Sequence, residues 1–134
     1  MKLRVLCKSK IHQAVVTGAD LHYIGSIGID ATLMRLADLV PGEQVSVWNI
    51  NNGQRIETYA IELTEGSGSV VVNGAAARHF HAGDRVIIVA FAVTDEPVVP
   101  CMIAVDEHNR FVRQLTAASP LDGRLPADPD PVVV

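Results

Sequence analysis

One serine in this chain follows a glycine directly, in a setting where its hydroxyl can act on the backbone. Gly25 precedes Ser26 inside the stretch LHYIGSIGID. If the Ser26 hydroxyl attacks the carbonyl carbon of Gly25, the amide between them becomes an ester, a change that a planar trans amide resists. Glycine eases the change because it adopts backbone geometries that other residues cannot. Gly-Ser is also a common turn dipeptide, so these two residues alone leave both a cleavage site and a simple turn open.

A second group of polar residues interrupts segments that are otherwise apolar. Arg55 and Tyr59 lie four positions apart on a predicted strand and so share a face, whereas Thr58 points to the opposite face. Further on, the NGAAA segment at residues 73–77 has small side chains that leave its backbone open to close approach. Lys10 adds a positive charge near the N-terminus. Taken singly, each of these features is also typical of a surface strand, a turn or a surface lysine.

Metal, phosphate and hydrolase signatures do not occur in the sequence. His79 and His81 lie on one face of an extended segment, but no third ligand is close in sequence, so surface or half-buried histidines are expected. No Gly-rich phosphate loop is present, and the GSG at residues 66–68 is expected to be a turn rather than a nucleophile elbow. Cys7 and Cys101 are predicted to be free, buried or half-buried thiols.

The composition is that of one ordinary globular domain. The 134 residues are 49% hydrophobic and 19% charged, which is enough apolar material for a core. The net charge is −4 and Lys and Arg do not cluster, so nucleic-acid binding is not expected. The apolar runs are too short to span a bilayer, and the first residues lack a sustained apolar run, so we expect no membrane association and a cytoplasmic location.

Short strands separated by Gly-rich turns dominate the predicted secondary structure. Residues 3–6 and 10–17 predict two separate strands, and residues 21–24 predict a return to extended structure. Asp30 is placed to cap a short helix, and Asn52-Gly53 is the clearest hairpin signal in the chain. The pattern is typical of a small all-β barrel or sandwich.

The combined pattern resembles the aspartate 1-decarboxylase family, whose members are pyruvoyl-dependent enzymes. Each matching segment is weak alone, but they follow the family's order and spacing from about residue 2 to residue 93. The region beyond Thr94 lies outside the resemblance. The matching segments are residues 10–12, 19–26, 48–55, 58–60, 72–77 and 83–88.

The resemblance implies a fold, an activity and an assembly. The fold would be a six-stranded double-psi β-barrel with short helices, in a homotetramer. The chain would cleave itself between Gly25 and Ser26 into residues 1–25 and 26–134, and Ser26 would become a covalent pyruvoyl group. The enzyme would convert L-aspartate to β-alanine and CO₂, which feeds pantothenate and coenzyme A biosynthesis. Whether cleavage needs a maturation helper protein is left open.

The resemblance also implies roles for individual residues. The pyruvoyl group at residue 26 would form a Schiff base with the substrate amine. Gly25, Ser26 and Thr58 would take part in cleavage, with Thr58 donating a hydrogen bond to the oxyanion. Tyr59 would donate the proton after decarboxylation. No metal is implied.

Substrate binding is assigned to a wider set by the same resemblance. Arg55 would bind a carboxylate through two hydrogen bonds and Lys10 would add positive charge. The backbone amides after Asn73 would hold substrate oxygens. The full substrate-binding set is Lys10, Arg55, Thr58, Asn73, Gly74, Ala75 and Ala76.

Three segments are predicted along the chain, and two other functions remain open. Residues 1–95 are predicted to form the catalytic barrel, residues 96–120 a C-terminal extension and residues 121–134 a disordered, Pro-rich tail. The alternatives are a non-catalytic double-psi barrel that serves as a binding module, and a pyruvoyl decarboxylase of another amino acid.

Overall fold

The computed structural model describes residues 1–116, which contain nine strands, one short α-helix and one 3-10 helix. The predicted mainly-β class is therefore confirmed. The strands are β1 (Arg4–Val15), β2 (Gly18–Asp20), β3 (Ser26–Asp30), β4 (Gln44–Asn49), β5 (Arg55–Leu63), β6 (Val70–Asn73), β7 (Arg85–Thr94), β8 (Cys101–Val105) and β9 (Phe111–Leu115). Helix α1 spans Ala31–Leu36, and the 3-10 helix spans Gly74–His79. The predicted tail, residues 121–134, lies outside the described residues.

All nine described strands belong to one sheet, in the order β2-β6-β3-β5-β4-β7-β1-β8-β9. Strand β3 pairs antiparallel with β6 on one side and parallel with β5 on the other. The Asn52-Gly53 hairpin prediction is confirmed, since β4 and β5 pair antiparallel across that turn and Gly53 has a φ of 77°. Strand β7 lies between β4 and β1.

The prediction of two separate N-terminal strands is wrong, because residues 4–15 form one continuous strand. Its pairing with β7 shifts register between Cys7 and Ser9 and again between Ile11 and Ala14. Such bulges bend a strand without ending it. The local interruptions that predicted two strands therefore mark bends within β1.

Strands β1 and β2 are separated by only two residues, yet they lie in distant positions of the sheet order. The amide of Val16 donates to the carbonyl of Asp84 at 2.9 Å, and the amide of Thr17 donates to the carbonyl of Val70 at 2.8 Å. Beyond this point β2 pairs in parallel with β6. The chain thus passes directly from the β7 side of the sheet to the β6 side.

The predicted extended segment at residues 21–24 is a turn in the structure. The Asp20 side chain accepts a hydrogen bond from the amide of His22 at 3.0 Å, which is the Asx turn that ends β2. The turn leaves Tyr23 and Ile24 exposed at 54% and 78% immediately before Gly25. The Gly25–Ser26 bond therefore lies where an exposed turn enters a buried strand.

Strands β8 and β9 form a C-terminal hairpin that no local sequence pattern predicted. Strand β8 pairs in parallel with β1 and antiparallel with β9. The buried Asn109 side chain binds both the amide and the carbonyl of Val15, at 2.7 and 2.8 Å, and the carbonyl of Gly68 at 2.8 Å. The hairpin is thereby fixed to β1 and to the turn before β6.

The core consists almost entirely of aliphatic side chains that alternate along the strands. One buried aromatic ring, Phe80, joins them among the described residues. Ile27 and Ile29 of β3 are fully buried. The same cluster takes in alternate residues from four other strands, Val45, Val47, Val70, Val72, Val86, Ile88 and Ile11. No helix in residues 1–116 is long and apolar enough to cross a membrane.

Asp30 anchors the far end of β3 through a buried carboxylate. It caps α1 by accepting from the amide of Thr32 at 2.8 Å, as the sequence predicts. It also accepts from the amides of Gly66 and Gly68, at 2.9 and 2.8 Å. Burial raises the pKa of this carboxyl, but the three backbone hydrogen bonds outweigh burial, and its pKa lies below the ordinary value of 3.8.

We expect Asp30→Asn to lower stability at neutral pH by about 1.5–3 kcal/mol, because three amides lose a charged acceptor. Since the folded-state pKa is below the unfolded value, this carboxylate stabilises the fold above about pH 4 and loses that contribution as the pH falls further. Urea unfolding of the native chain and the variant between pH 3 and pH 7 measures both effects. The exposed Glu62→Gln is the control. Equal stability of Asp30→Asn and the native chain at pH 7 would contradict the prediction.

Candidate active site

The Ser26 hydroxyl is buried at the first position of β3 and has a side-chain partner. Ser26 pairs with Asn73 across the antiparallel ladder between β3 and β6. The amide nitrogen of Asn73, Nδ2, donates to Ser26 Oγ at 3.1 Å, and both residues are buried. A donor at this place holds the hydroxyl oxygen in one orientation and favours negative charge that develops on it.

The backbone of Gly74 lies directly against Gly25. Gly74 has a φ of 74°, and a Cβ built on it would lie 2.7 Å from Gly25 Cα. A Cβ on Gly25 would meet nothing within 4 Å, and Gly25 is not among the glycines with a positive φ. Residue 74, rather than residue 25, thus needs glycine for the conformation that the structure shows. Ala75 and Ala76 follow in the 3-10 helix, Ala75 exposed and Ala76 half-buried.

Thr58 and Tyr59 reach the same region through the parallel pairing of β3 with β5. Ile27 pairs with Ala60 in that ladder. The ladder itself begins at Ile27; continued by one residue, its register sets Tyr59 level with Ser26, and one residue further, in the bend before β3, it would set Thr58 level with Gly25. Thr58 is half-buried and Tyr59 is 40% exposed. Ser26 and Tyr59 therefore share one face, while Thr58 faces the other, as the strand alternation predicts.

Arg55 lies on the same face of β5 as Tyr59, but its side chain is directed toward β4, away from β3. It pairs with Trp48 on β4, and its guanidinium carbon lies 4.5 Å from the centroid of the Trp48 ring. Such a contact holds a guanidinium in place while leaving its N–H groups available. A cleft of about 480 Å³ is lined here by Ser46, Trp48, Arg55, Ile56 and Glu57. Trp48 was not among the predicted site residues: a two-residue Asn52-Gly53 loop would pair it with Glu57, whereas the longer loop in the structure pairs it with Arg55.

Lys10 lies on the same outer face, three strands away from β5. It pairs with Val89 of β7, which in turn pairs with Ser46 of β4. The structure therefore divides these residues into two groups. We call them the serine group (Gly25, Ser26, Thr58, Tyr59, Asn73 and Gly74) and the arginine group (Arg55 with its partner Trp48, and Lys10 on the same outer face).

The 3-10 helix that begins at Gly74 is held at its other end by a polar cluster. Asn49 Nδ2 donates to the carbonyl of His79 at 3.1 Å and to the carboxylate of Asp84 at 2.8 Å. The hydrogen bond from Asn49 lowers the pKa of Asp84 and outweighs the opposing effect of burial. Asp84 also accepts from the amide of His81 at 2.9 Å. These contacts fix the segment that carries Gly74 and the open backbone after it.

The His79–His81 pair and both cysteines lie outside the two groups of site residues. His79 and His81 are exposed, and no cluster of three or more metal-ligating side chains occurs within residues 1–116. Cys7 and Cys101 are free and half-buried. Burial raises the pKa of the Cys101 thiol. Neither cysteine belongs to the serine group or the arginine group.

Comparison with known proteins assigns the chain to a family. A sequence profile described as aspartate decarboxylase matches residues 1–112. The chain belongs to the aspartate decarboxylase family. The resemblance seen in the sequence is confirmed, but its limit at Thr94 is wrong, because the family match includes β8 and reaches β9.

Curated relatives in this family cover most of the chain. Aspartate 1-decarboxylase of Thermoanaerobacter pseudethanolicus is 52% identical over 113 residues, which are 81% of this chain and 97% of that protein. Aspartate 1-decarboxylase of Leptothrix cholodnii is 53% identical over 112 residues, 81% of this chain and 86% of that protein. Aspartate 1-decarboxylase 2 of Gloeobacter violaceus is 53% identical over 114 residues, 82% of this chain and 91% of that protein.

We expect Asn73→Ala to slow the expected cleavage between Gly25 and Ser26. A hydrogen bond to a group that becomes charged contributes about 1.5–3 kcal/mol, which corresponds to roughly 10- to 150-fold in rate. Intact mass spectrometry of freshly purified chain over time measures the rate. The control is Gln114→Ala on β9, which removes an exposed amide remote from Ser26. Cleavage of Asn73→Ala at the native rate would exclude a role for this hydrogen bond.

Proposed function

We propose that this protein decarboxylates L-aspartate to β-alanine and CO₂ after cleaving its own chain between Gly25 and Ser26. Family membership supports the activity. The observation that carries the cleavage is the buried Ser26 hydroxyl, bound by Asn73 Nδ2 at 3.1 Å beside the Gly25 carbonyl group. β-Alanine is a precursor for pantothenate, and the proposed place of the enzyme is in that biosynthesis.

The cleavage uses groups of the chain itself together with water. Ser26 Oγ bonds to the carbonyl carbon of Gly25, the C–N bond breaks, and the proton from Oγ passes to the released amine. Thr58, level with Gly25, is the proposed donor to the oxyanion that forms on the way. Loss of the Cα proton of residue 26 then breaks its Cβ–O bond and releases the Gly25 carboxylate. Water replaces the nitrogen, which leaves as ammonia.

The residues around position 26 fit the pyruvoyl group that these steps produce. The side chain of residue 26 is enclosed, and an amide donor, Asn73 Nδ2, is directed at it. When present, the group supplies the electron sink that lets a bound amino acid lose its carboxylate. Tyr59 is proposed to hold the proton that replaces CO₂. The backbone amides of Gly74, Ala75 and Ala76 are proposed to bind substrate oxygens.

We propose that Arg55 and Lys10 bind the substrate carboxylate in the serine group of a neighbouring copy. Two observations support this arrangement. Arg55 lies four residues from Tyr59, about 13 Å along the strand, and its guanidinium lies over Trp48, on the side of β5 away from β3. The arginine group thus faces outward from its own barrel, where a second subunit can meet it.

An exposed apolar surface next to the arginine group supports contact with further copies of the chain, and the proposed assembly is a homotetramer. Val5 and Val93 pair across β1 and β7 and are 67% and 68% exposed, and Phe91 beside them is 41% exposed. Together with Val89 they line a groove of about 340 Å³. Apolar surface of this kind is typical of contacts between subunits.

The proposed barrel is a six-stranded double-psi barrel. Counting β1 and β2 as one bent strand, since two residues join them, leaves six strands through β7, with β8 and β9 as an added hairpin. The hydrogen bonds of Val16 and Thr17 support closure between β7 and β6. We accordingly propose residues 1–95 as the catalytic barrel and the hairpin within residues 96–120 as an extension packed on it.

The first test of the function is the mass of the purified chain. We expect the 14.4 kDa chain to yield two fragments that separate at Gly25–Ser26 and to produce β-alanine from L-aspartate. Ser26→Ala should fold yet remain uncut and inactive, because it lacks the attacking oxygen. A chain that stays intact on prolonged incubation, alone and with cell extract, would favour a non-catalytic binding module. Turnover of another amino acid but not of aspartate would overturn the substrate assignment.

The second test separates the arginine group from the serine group. Arg55→Ala should cleave normally but raise the KM for aspartate by roughly 100-fold, as expected for loss of a charge-assisted pair of about 3 kcal/mol. Co-expression of Arg55→Ala with Ser26→Ala, each carrying a different tag, should recover activity in mixed oligomers if the two groups come from different subunits. Mixed oligomers as inactive as the separate variants would place both groups in one subunit. Arg35→Ala, which removes an exposed ion pair with Glu65, is the control.

A further inference from the structure

We propose that Gly74 is a positioning residue for cleavage of the Gly25–Ser26 bond, a role separate from substrate binding. The inference rests on the self-cleavage proposed above. Its basis is the close approach of the Gly74 backbone to the residue whose carbonyl carbon must be attacked.

The space between residues 74 and 25 excludes any side chain on residue 74. A Cβ on Gly74 would lie 2.7 Å from Gly25 Cα, 3.0 Å from the Gly25 nitrogen and 3.3 Å from the carbonyl oxygen of Tyr23. All three are backbone atoms, so no side-chain rotation relieves the contact. The shortest distance is about 0.7 Å below the 3.4 Å at which ordinary van der Waals contact begins.

Gly25 is the partner that would move. A Cβ built on Gly25 would have open space around it, and Tyr23 and Ile24 before it are exposed. On the other side, Gly74 belongs to a segment held by β6 at one end and by Asn49 at the other. A side chain at residue 74 therefore displaces the carbonyl of Gly25 and leaves the 3-10 helix in place.

Asn73 and Gly74 together fix the geometry of the proposed attack. Its side chain fixes Ser26 Oγ, while the backbone of the next residue fixes the position of Gly25. Two adjacent residues thus set the distance between the attacking oxygen and the carbon that it attacks. A displacement approaching 1 Å between reacting atoms costs about 100-fold in rate.

Gly74→Ala tests the inference, with Gly42→Ala as the matched control. Gly42 has a φ of 86°, close to the 74° of Gly74, but its added Cβ would meet nothing within 4 Å. The two variants share the cost of alanine in a left-handed backbone and differ in the contact with Gly25. Stability is measured in a Ser26→Ala background, which cannot cleave, and cleavage rates are normalised to the folded fraction.

We expect Gly74→Ala to cleave about 100-fold more slowly than the native chain, and Gly42→Ala to cleave at the native rate. Gly74→Asn keeps the added Cβ in a residue that tolerates a left-handed backbone, so it should be equally slow even where Gly74→Ala folds poorly. Cleavage of a folded Gly74 variant within a few-fold of the native rate would overturn the inference. A native chain that does not cleave would instead contradict the proposed function.

Hydroxylamine distinguishes positioning for attack from a defect in a later step. It cleaves an ester between residues 25 and 26 but not the amide. If Gly74 positions Gly25 for the attack, hydroxylamine should leave the slow cleavage of the Gly74 variants unchanged. Restoration of rapid cleavage by hydroxylamine would show that the ester forms normally and would overturn the inference.

Discussion

The pairing of β3 with β6 is the interaction on which the rest of the site depends. It sets Ser26 opposite Asn73 and brings Gly74 against Gly25. The positions of Thr58 and Tyr59 relative to this region depend on the same placement of β3. A shift of one residue would turn the Ser26 side chain to the opposite face of the sheet. Fully buried Ile27 and Ile29 make such a shift costly, because both would leave the core.

The far end of β3 is fixed as firmly as its start. Asp30 binds the turn between β5 and β6 through the amides of Gly66 and Gly68. Asn109 binds the carbonyl of the same Gly68, so the C-terminal hairpin supports this turn from outside. A strand held at both ends can keep a buried hydroxyl in one position, which is what a reaction on the backbone requires.

Local sequence patterns predicted the parts of the fold that depend on neighbours in the chain. The β4–β5 hairpin follows from Asn52-Gly53, the helix cap from Asp30, and the faces of Arg55 and Tyr59 from strand alternation. The contact between Ser26 and Asn73 joins residues 47 positions apart, and no local pattern encodes such a pairing. The resemblance to a known family named both residues without showing their contact. The turn at residues 21–24 was missed because one side chain, Asp20, redirects a segment whose composition favours a strand.

The C-terminal hairpin was missed for a different reason. Residues 96–120 were predicted only as a C-terminal extension, with no strand assigned to them. Pro97 and Pro100 lie before β8 and leave its backbone donors free to pair. Its parallel pairing with β1 bridges about 90 residues of sequence.

The same strand pairings would keep the two fragments associated after the proposed cleavage. Residues 4–15 pair with β7 and β8, and residues 18–20 pair with β6, all on the far side of the proposed cut. The Thr17 hydroxyl donates to the carbonyl of Val70 at 3.1 Å and accepts from the amide of Val70 at 2.9 Å. The short fragment is thus an integral part of the sheet. Breaking the bond after Gly25 frees an exposed turn and leaves β3, with residue 26 at its start, enclosed by the strands that positioned it before the cut.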